Sequence, residues 1–335
     1  MASRVWIFAG AFLVACEASP DGATSGSPSA AIADAGALVS DAAASIDDAG
    51  VSADAEHDAS TSFPYDVDGP IAFATSEASV TNGSDSFIEH VYMPSSAGLH
   101  PLVSLSPGLL QNAIAYAPYA ERLASYGIAV ILRDDPGALT NTTDVAADVA
   151  FAIETWAPIA LQNKVDFDRV GLAGHSRGGK ATLLAAEGAL AGKVVAWFGL
   201  DPVDSSALSG GVQARDSLGA LGIPTTYLAA SIASSCSPAA DTADVLYAAT
   251  PSPSVEITGI GAGHTQLQDP SDCNECSLCA PQGTADSAAV LAYAVRYLTA
   301  FFARELLGAT DVGAAFEKAG AGTDVAKGLV RIDVK

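Results

Sequence analysis

Residues 169–188 read RVGLAGHSRGGKATLLAAEG. An apolar run of strand length, Val170–Ala173, gives way to an Ala/Leu-rich run of helical spacing, Lys180–Leu190. At the junction stands Gly174-His175-Ser176-Arg177-Gly178, a G-x-S-x-G pattern that occurs once in the chain. A serine between a strand and a helix occupies a strained turn, and the flanking glycines are needed because side chains there would meet the neighbouring elements. Such a turn lifts Oγ clear of the sheet, and the helix N-terminus behind it favours developing negative charge. Ser176 is therefore the candidate nucleophile. A tight turn with an incidental serine is the bland alternative, and the strand–helix context outweighs it.

Outward from this turn, apolar runs of strand length alternate with helical patterns. Phe87–Met93, Leu102–Leu105 and Ile128–Leu132 precede it as predicted strands. Tyr116–Ser125 and Asp144–Trp156 precede it as helices, the second with Thr143 as its expected cap. Val194–Leu200, Thr225–Ala229 and Ser254–Ile260 follow as strands, and Ala285–Leu307 as a long closing helix. This alternation predicts an α/β fold, a mostly parallel sheet with helices on both faces. The stretch between Asp201 and Thr225 is too short for a large lid domain.

A serine at its ordinary pKa is a poor nucleophile and needs a base. Of the five histidines, His57, His90 and His100 precede the serine and His175 lies inside the turn, which leaves His264. His264 follows the last predicted strand in GIGAGHTQL, as the chain order Ser…Asp…His requires. A lone histidine is usually structural, but this one alone holds the required place. For the acid, Asp201 directly follows the strand VVAWFGL, at the carboxyl end of the sheet where sites gather. Asp204, Asp241 and Asp244 read as solvated surface charge, with Asp241 and Asp244 the alternative acids after the next strand. The two N–H donors of an oxyanion hole are expected at Arg177 and, from the loop SLSPGLLQN, at Leu109. The Arg177 side chain is expected to brace a loop.

The full chain has 335 residues, half of them apolar, and a net charge of −23. Its composition falls into three parts. Residues 1–16 have a charged start, an apolar run Val5–Ala15 and then Cys16, the build of an export signal. Its ending LVAC resembles a bacterial lipobox, which makes Cys16 the expected lipidation site. An ordinary cleaved signal containing a cysteine is the alternative. Residues 17–62 hold nine acidic side chains, no Lys or Arg and no aromatics, and predict a disordered linker. Residues 63–335 form the expected catalytic domain. They carry 29 acidic and 14 basic side chains, hence −15, which disfavours nucleic acid as a partner. Contact with a membrane is expected only through the N-terminal lipid anchor, and the domain is expected to be a monomer.

Four further cysteines, Cys236, Cys273, Cys276 and Cys279, suggest two disulfides in an exported protein, with three connectivities open. A metal or iron–sulfur cradle is the weaker reading, because no histidine lies nearby. If Cys236 pairs with one of the other three, the bridge ties the loop carrying His264 to its neighbour.

GHSRGGKAT, followed by WFGLDPVD and GAGHTQLQD, resembles the chlorophyllase-type α/β-hydrolases. The resemblance implies an α/β-hydrolase fold, with Ser176 as nucleophile, Asp201 as acid and His264 as base. SPGLLQNAIAYAPYAERLASYGIAVI is also similar to cutinase-like, polyester-degrading hydrolases. Val203 stands where those commonly carry an aromatic residue, and no acid closely follows Thr225–Ala229. The cysteine-rich loop after His264 departs from chlorophyllases, so their pigment substrate is not carried over. The expected function is therefore an exported serine esterase that takes a small or lipid-like neutral ester and needs no cofactor or metal. An amidase or peptidase with the same three residues is the enzymatic rival, and a non-catalytic binding protein on the same scaffold is the other.

Overall fold

Apolar runs too short for helices and flanked by Gly, Pro and Asp become the centre of one sheet. The computed structural model describes residues 65–134, 136–137, 140–205, 212–273, 275–312, 316 and 323–335. The expected leader with Cys16 and the linker over 17–62 lie outside the described residues.

Among them, nine strands pair in the order β1-β2-β4-β3-β5-β6-β7-β8-β9. They are β1 (Phe73–Asn82), β2 (Asp85–Pro94), β3 (His100–Ser106), β4 (Ala129–Arg133) and β5 (Val165–His175). β6 (Val194–Leu200), β7 (Thr225–Ile232), β8 (Ser254–Gly263) and β9 (Val330–Val334) complete the sheet. Strands β3 to β8 run parallel, while β1, β2 and β9 join antiparallel at the edges. The parallel strands are buried along most of their length, as continuous apolar runs covered on both faces must be.

The helices are α1 (Ala117–Ser125), α2 (Thr142–Phe151), α3 (Ala157–Ala160), α4 (Arg177–Glu187), α5 (Ala243–Ala249) and α6 (Ser287–Leu307). Two apolar cores result. One packs α1 and α6 on one face of the sheet, and the other packs α2, α4 and α5 on the opposite face. Between β6 and β7 the described residues form only two short 3-10 turns, Ala214–Asp216 and Leu218–Ala220. This is the α/β-hydrolase fold, with no large lid among the described residues.

Strand β1 and helix α5 are absent from the sequence-based expectation, and three further details differ from it. The cap of α2 is Asn141, not Thr143, because the Asn141 side chain accepts the Asp144 N–H at 2.9 Å. The predicted helix over 144–156 starts earlier and widens into a π turn at Ala152–Trp156 before α3. The long helix α6 does not close the fold, since β9 follows it and pairs with β8.

Candidate active site

β5 ends at His175, α4 begins at Arg177, and Ser176 turns the chain between them with φ 54° and ψ −122°. A non-glycine residue in that region is strained and persists only where its surroundings hold it. Here they do. The Ser176 N–H donates to Leu200 O at 3.1 Å, and its carbonyl accepts from Val203 at 3.1 Å and Lys180 at 3.2 Å. A Cβ at Gly174 would run into the Gly178 backbone, and one at Gly178 into the carbonyls of Ser106 and Pro107. The glycines permit α4 to pack that closely.

Asp201 follows β6 at once and also takes a positive φ, 38°. Its N–H donates to Leu228 O at 2.7 Å, and its Oδ1 accepts the Ala230 N–H at 3.0 Å. Oδ2 lies 2.6 Å from Nδ1 of His264, the residue after β8. The other ring nitrogen, Nε2, lies 2.9 Å from Ser176 Oγ. A carboxylate only accepts, so Nδ1 carries the ring proton and Nε2 presents its lone pair to the serine. The structure thus brings together Ser176, His264 and Asp201, each from a different strand tip and each buried.

Asp204 does not join them, but neither is it solvated surface charge as its sequence context suggests. It is fully buried and accepts from the N–H groups of Ala214 and Arg215 and from Arg215 Nε at 2.8 Å. The Lys180 ammonium, also fully buried, stands 3.7 Å away. Asp241 is held by Arg215 at 2.6 Å. These cations come from distant parts of the chain, so the aspartates alone gave no sign of them.

Leu109 lies beside Ser176 in the wall of a cleft, on the loop after β3, and Arg177 opens α4 in the same wall. The Arg177 guanidinium donates to Gly137 O at 3.1 Å and Thr140 O at 2.8 Å, bracing the loop after β4. The cleft holds about 770 Å³ counted out to its mouth. Leu109, Leu110, Val203 and Leu278 line it together with Cys236 and Cys279, and no carboxylate faces it among the described residues. Disulfides join Cys236 to Cys279 and Cys273 to Cys276, so the connectivity left open by the sequence is settled and one wall of the cleft is a cystine.

Three polar residues around the site carried no sequence signal strong enough to single them out as members of it. In the sequence Tyr116 stands as a helix start, His175 as the variable position of the turn, and Gln268 as one residue of the stretch GAGHTQLQD. All three are buried, and all three bond to one another or to the site. Burial, and then repulsion from His264 whenever that ring is protonated, hold the His175 imidazole well below the usual histidine range, so it stays neutral.

A family model described as chlorophyllase matches residues 69–214, a stretch that includes Ser176 and Asp201 and stops short of His264. Among curated proteins, the chain is 31% identical over 122 residues to cutinase est2 of Thermobifida alba, covering 35% of this chain and 40% of the relative. It is 30% identical over 122 residues to cutinase 2 of Thermobifida cellulosilytica, 35% of this chain and 46% of the relative. Cutinase cut1 of Thermobifida fusca is 30% identical over 122 residues, 35% of this chain and 38% of the relative. The matched stretch therefore spans less than half the length of each of these relatives. The resemblance is to α/β-hydrolase esterases.

Proposed function

We propose that this chain hydrolyses carboxylic esters through an acyl-enzyme, using Ser176 as nucleophile, His264 as base and Asp201 as the acid that orients it. The observation that carries this reading is the continuous hydrogen-bonded chain from Ser176 Oγ to His264 Nε2 and from Nδ1 to Asp201, at 2.9 and 2.6 Å. In the first half-reaction Ser176 Oγ attacks the ester carbonyl as Nε2 takes its proton. The carbonyl oxygen becomes an oxyanion, for which the N–H groups of Leu109 and Arg177 are the proposed donors. His264 then gives the proton to the departing alkoxide, which leaves as the alcohol. In the second half-reaction, water loses a proton to Nε2 and attacks the acyl carbon, and Ser176 leaves with its proton restored. Asp201 stays ionised throughout and stabilises the imidazolium.

The apolar lining of the cleft and a chain of strongly negative charge support a neutral substrate over an anionic one. The resemblance to cutinases and chlorophyllases supports an ester over an amide. Two disulfides support export to an oxidising compartment, with Cys16 as the proposed lipid anchor. Incubation with a fluorophosphonate probe, followed by peptide mapping, tests the nucleophile directly. Label on the peptide containing Ser176 is expected; its absence under conditions that label a known serine esterase would refute the reading. A series of nitrophenyl esters of increasing acyl length then gives the substrate range, with neutral acyl groups expected to outrun succinyl or other anionic ones.

A further inference from the structure

Beside Ser176 and His264, with Gly108, His175 and Gln268 in the wall of the same cleft, lies a buried hub centred on one hydroxyl. Tyr116 is wholly inaccessible to solvent. Its OH is 2.7 Å from Nδ1 of His175, accepts the Gly108 N–H at 3.0 Å and lies 3.3 Å from Gln268 Oε1. The far nitrogen of His175, Nε2, is 3.1 Å from the backbone carbonyl of His264. The two imidazoles stack, with ring centroids 4.5 Å apart and planes 33° from parallel.

The protons can be placed by elimination. A carbonyl oxygen only accepts, so Nε2 of His175 carries the ring proton and Nδ1 is bare. The Tyr116 hydroxyl then has two acceptors before its one proton, Nδ1 at 2.7 Å and Gln268 Oε1 at 3.3 Å, and the shorter contact to Nδ1 takes it while a lone pair accepts the Gly108 N–H. Burial opposes protonation of His175, which keeps Nδ1 bare as the acceptor of the short 2.7 Å contact. Gly108 is fitted to the hub, because a Cβ there would lie 2.9 Å from His175 Nδ1 and 3.3 Å from the tyrosine oxygen.

We propose that Tyr116 and His175 are positioning residues that lock the loop of the base to the oxyanion loop through a single hydroxyl. His175 fixes the backbone of His264. Tyr116 fixes His175 and also the amide directly before Leu109. This rests on the hydrolase reading above, and it adds that the base and the oxyanion donor are held in mutual register. Both groups do their work in the transition state, so loosening the hub lowers kcat while leaving KM nearly unchanged.

The test is steady-state hydrolysis of nitrophenyl butyrate by the full chain carrying Tyr116→Phe, His175→Phe, both changes, or His175→Gln, with Tm measured for each. A displacement of the order of an ångström costs about 10²-fold, so each Phe variant is expected to lose roughly 10- to 100-fold in kcat. The double variant is expected to lose no more than the worse single one, because the two residues act as a unit. His175→Gln, whose amide can again donate to the His264 carbonyl, is expected to recover about tenfold over His175→Phe, the worth of one hydrogen bond of about 1.4 kcal/mol. Should His175→Phe not fold, Tyr116→Phe, which removes a single oxygen, decides alone. Wild-type kcat in Tyr116→Phe, losses that multiply in the double variant, or a rise in KM with kcat unchanged would overturn the proposal. Fluorophosphonate labelling of the unmodified chain separates the two failures: no label on Ser176 sinks the hydrolase reading itself, whereas label with unchanged variants sinks only the hub.

Discussion

Asp201 and Asp204 stand three residues apart at the same strand tip, both fully buried, and each has its own partners. Asp201 faces His264, and Asp204 faces Arg215 and Lys180. Asp201→Asn is expected to lower kcat on the order of 10³- to 10⁴-fold, because an amide in place of Oδ2 stabilises the wrong imidazole tautomer. Asp204→Asn is expected to leave kcat within about tenfold but to destabilise the fold by up to about 3–5 kcal/mol, the usual cost of leaving a buried charge unpaired. Kinetics and thermal melts on the same two proteins check both. Equal kinetic losses at the two positions would mean that Asp201 is not the orienting acid. Ser176, His264 and Asp201 were legible in the sequence because chain order and strand-tip position restrict them. The burial of Asp204 was not, since it depends on Arg215 and Lys180 arriving from other elements. Nor was the hub at Tyr116, because a tyrosine at a helix start is ordinarily just core.

At the scale of elements, the strand–turn–helix of β5 and α4 was readable because its glycines announce a close approach. Gly178→Ala sets a Cβ against the carbonyls of Ser106 and Pro107 on β3 and its loop. Overpacking of this kind typically costs about 1–3 kcal/mol, and here it would also push α4 away from the serine turn. The expected result is a lowered Tm and a loss of activity together; a variant with unchanged Tm and activity would show that the turn has room to spare. The edge strands β1 and β9 are illegible in the sequence for a different reason. β1 is largely exposed and polar, FATSEASVTN, and β9, VRIDV, alternates apolar with charged residues, so neither has the apolar run by which central strands are recognised.

β2 carries a second element-scale consequence. Glu89 is buried opposite Arg133 on β4, and neither of its carboxylate oxygens has a hydrogen-bond partner among the described residues. Burial pushes its carboxyl up to about 8, against the opposing pull of Arg133. A carboxyl raised in the folded state favours folding fully below its unfolded pKa, and that contribution is lost as pH rises through about 8. Glu89→Gln removes the titration. The variant is therefore expected to melt close to the unmodified protein at pH 4–5 and progressively above it towards pH 9. A difference in Tm that stays constant across that range would contradict the assignment.

For the whole molecule, the cystine between Cys236 and Cys279 joins the loop after β7 to the loop after β8, and both reach the cleft. The sequence offered the cysteines but not their pairing, because four cysteines allow three connectivities and only the fold brings two of them together. The sheet itself is built from core contacts that need no cystine. Mild reduction is accordingly expected to lower esterase activity before far-ultraviolet circular dichroism registers any loss of secondary structure. Activity that survives complete reduction would show that the cystine wall does not shape the site. The central claim is reached most directly by one measurement: kcat for a nitrophenyl ester in Ser176→Ala against the unmodified chain. A loss on the order of 10⁴- to 10⁶-fold with an unchanged Tm is predicted. Hydrolysis persisting near the original rate in the purified, folded variant would contradict it.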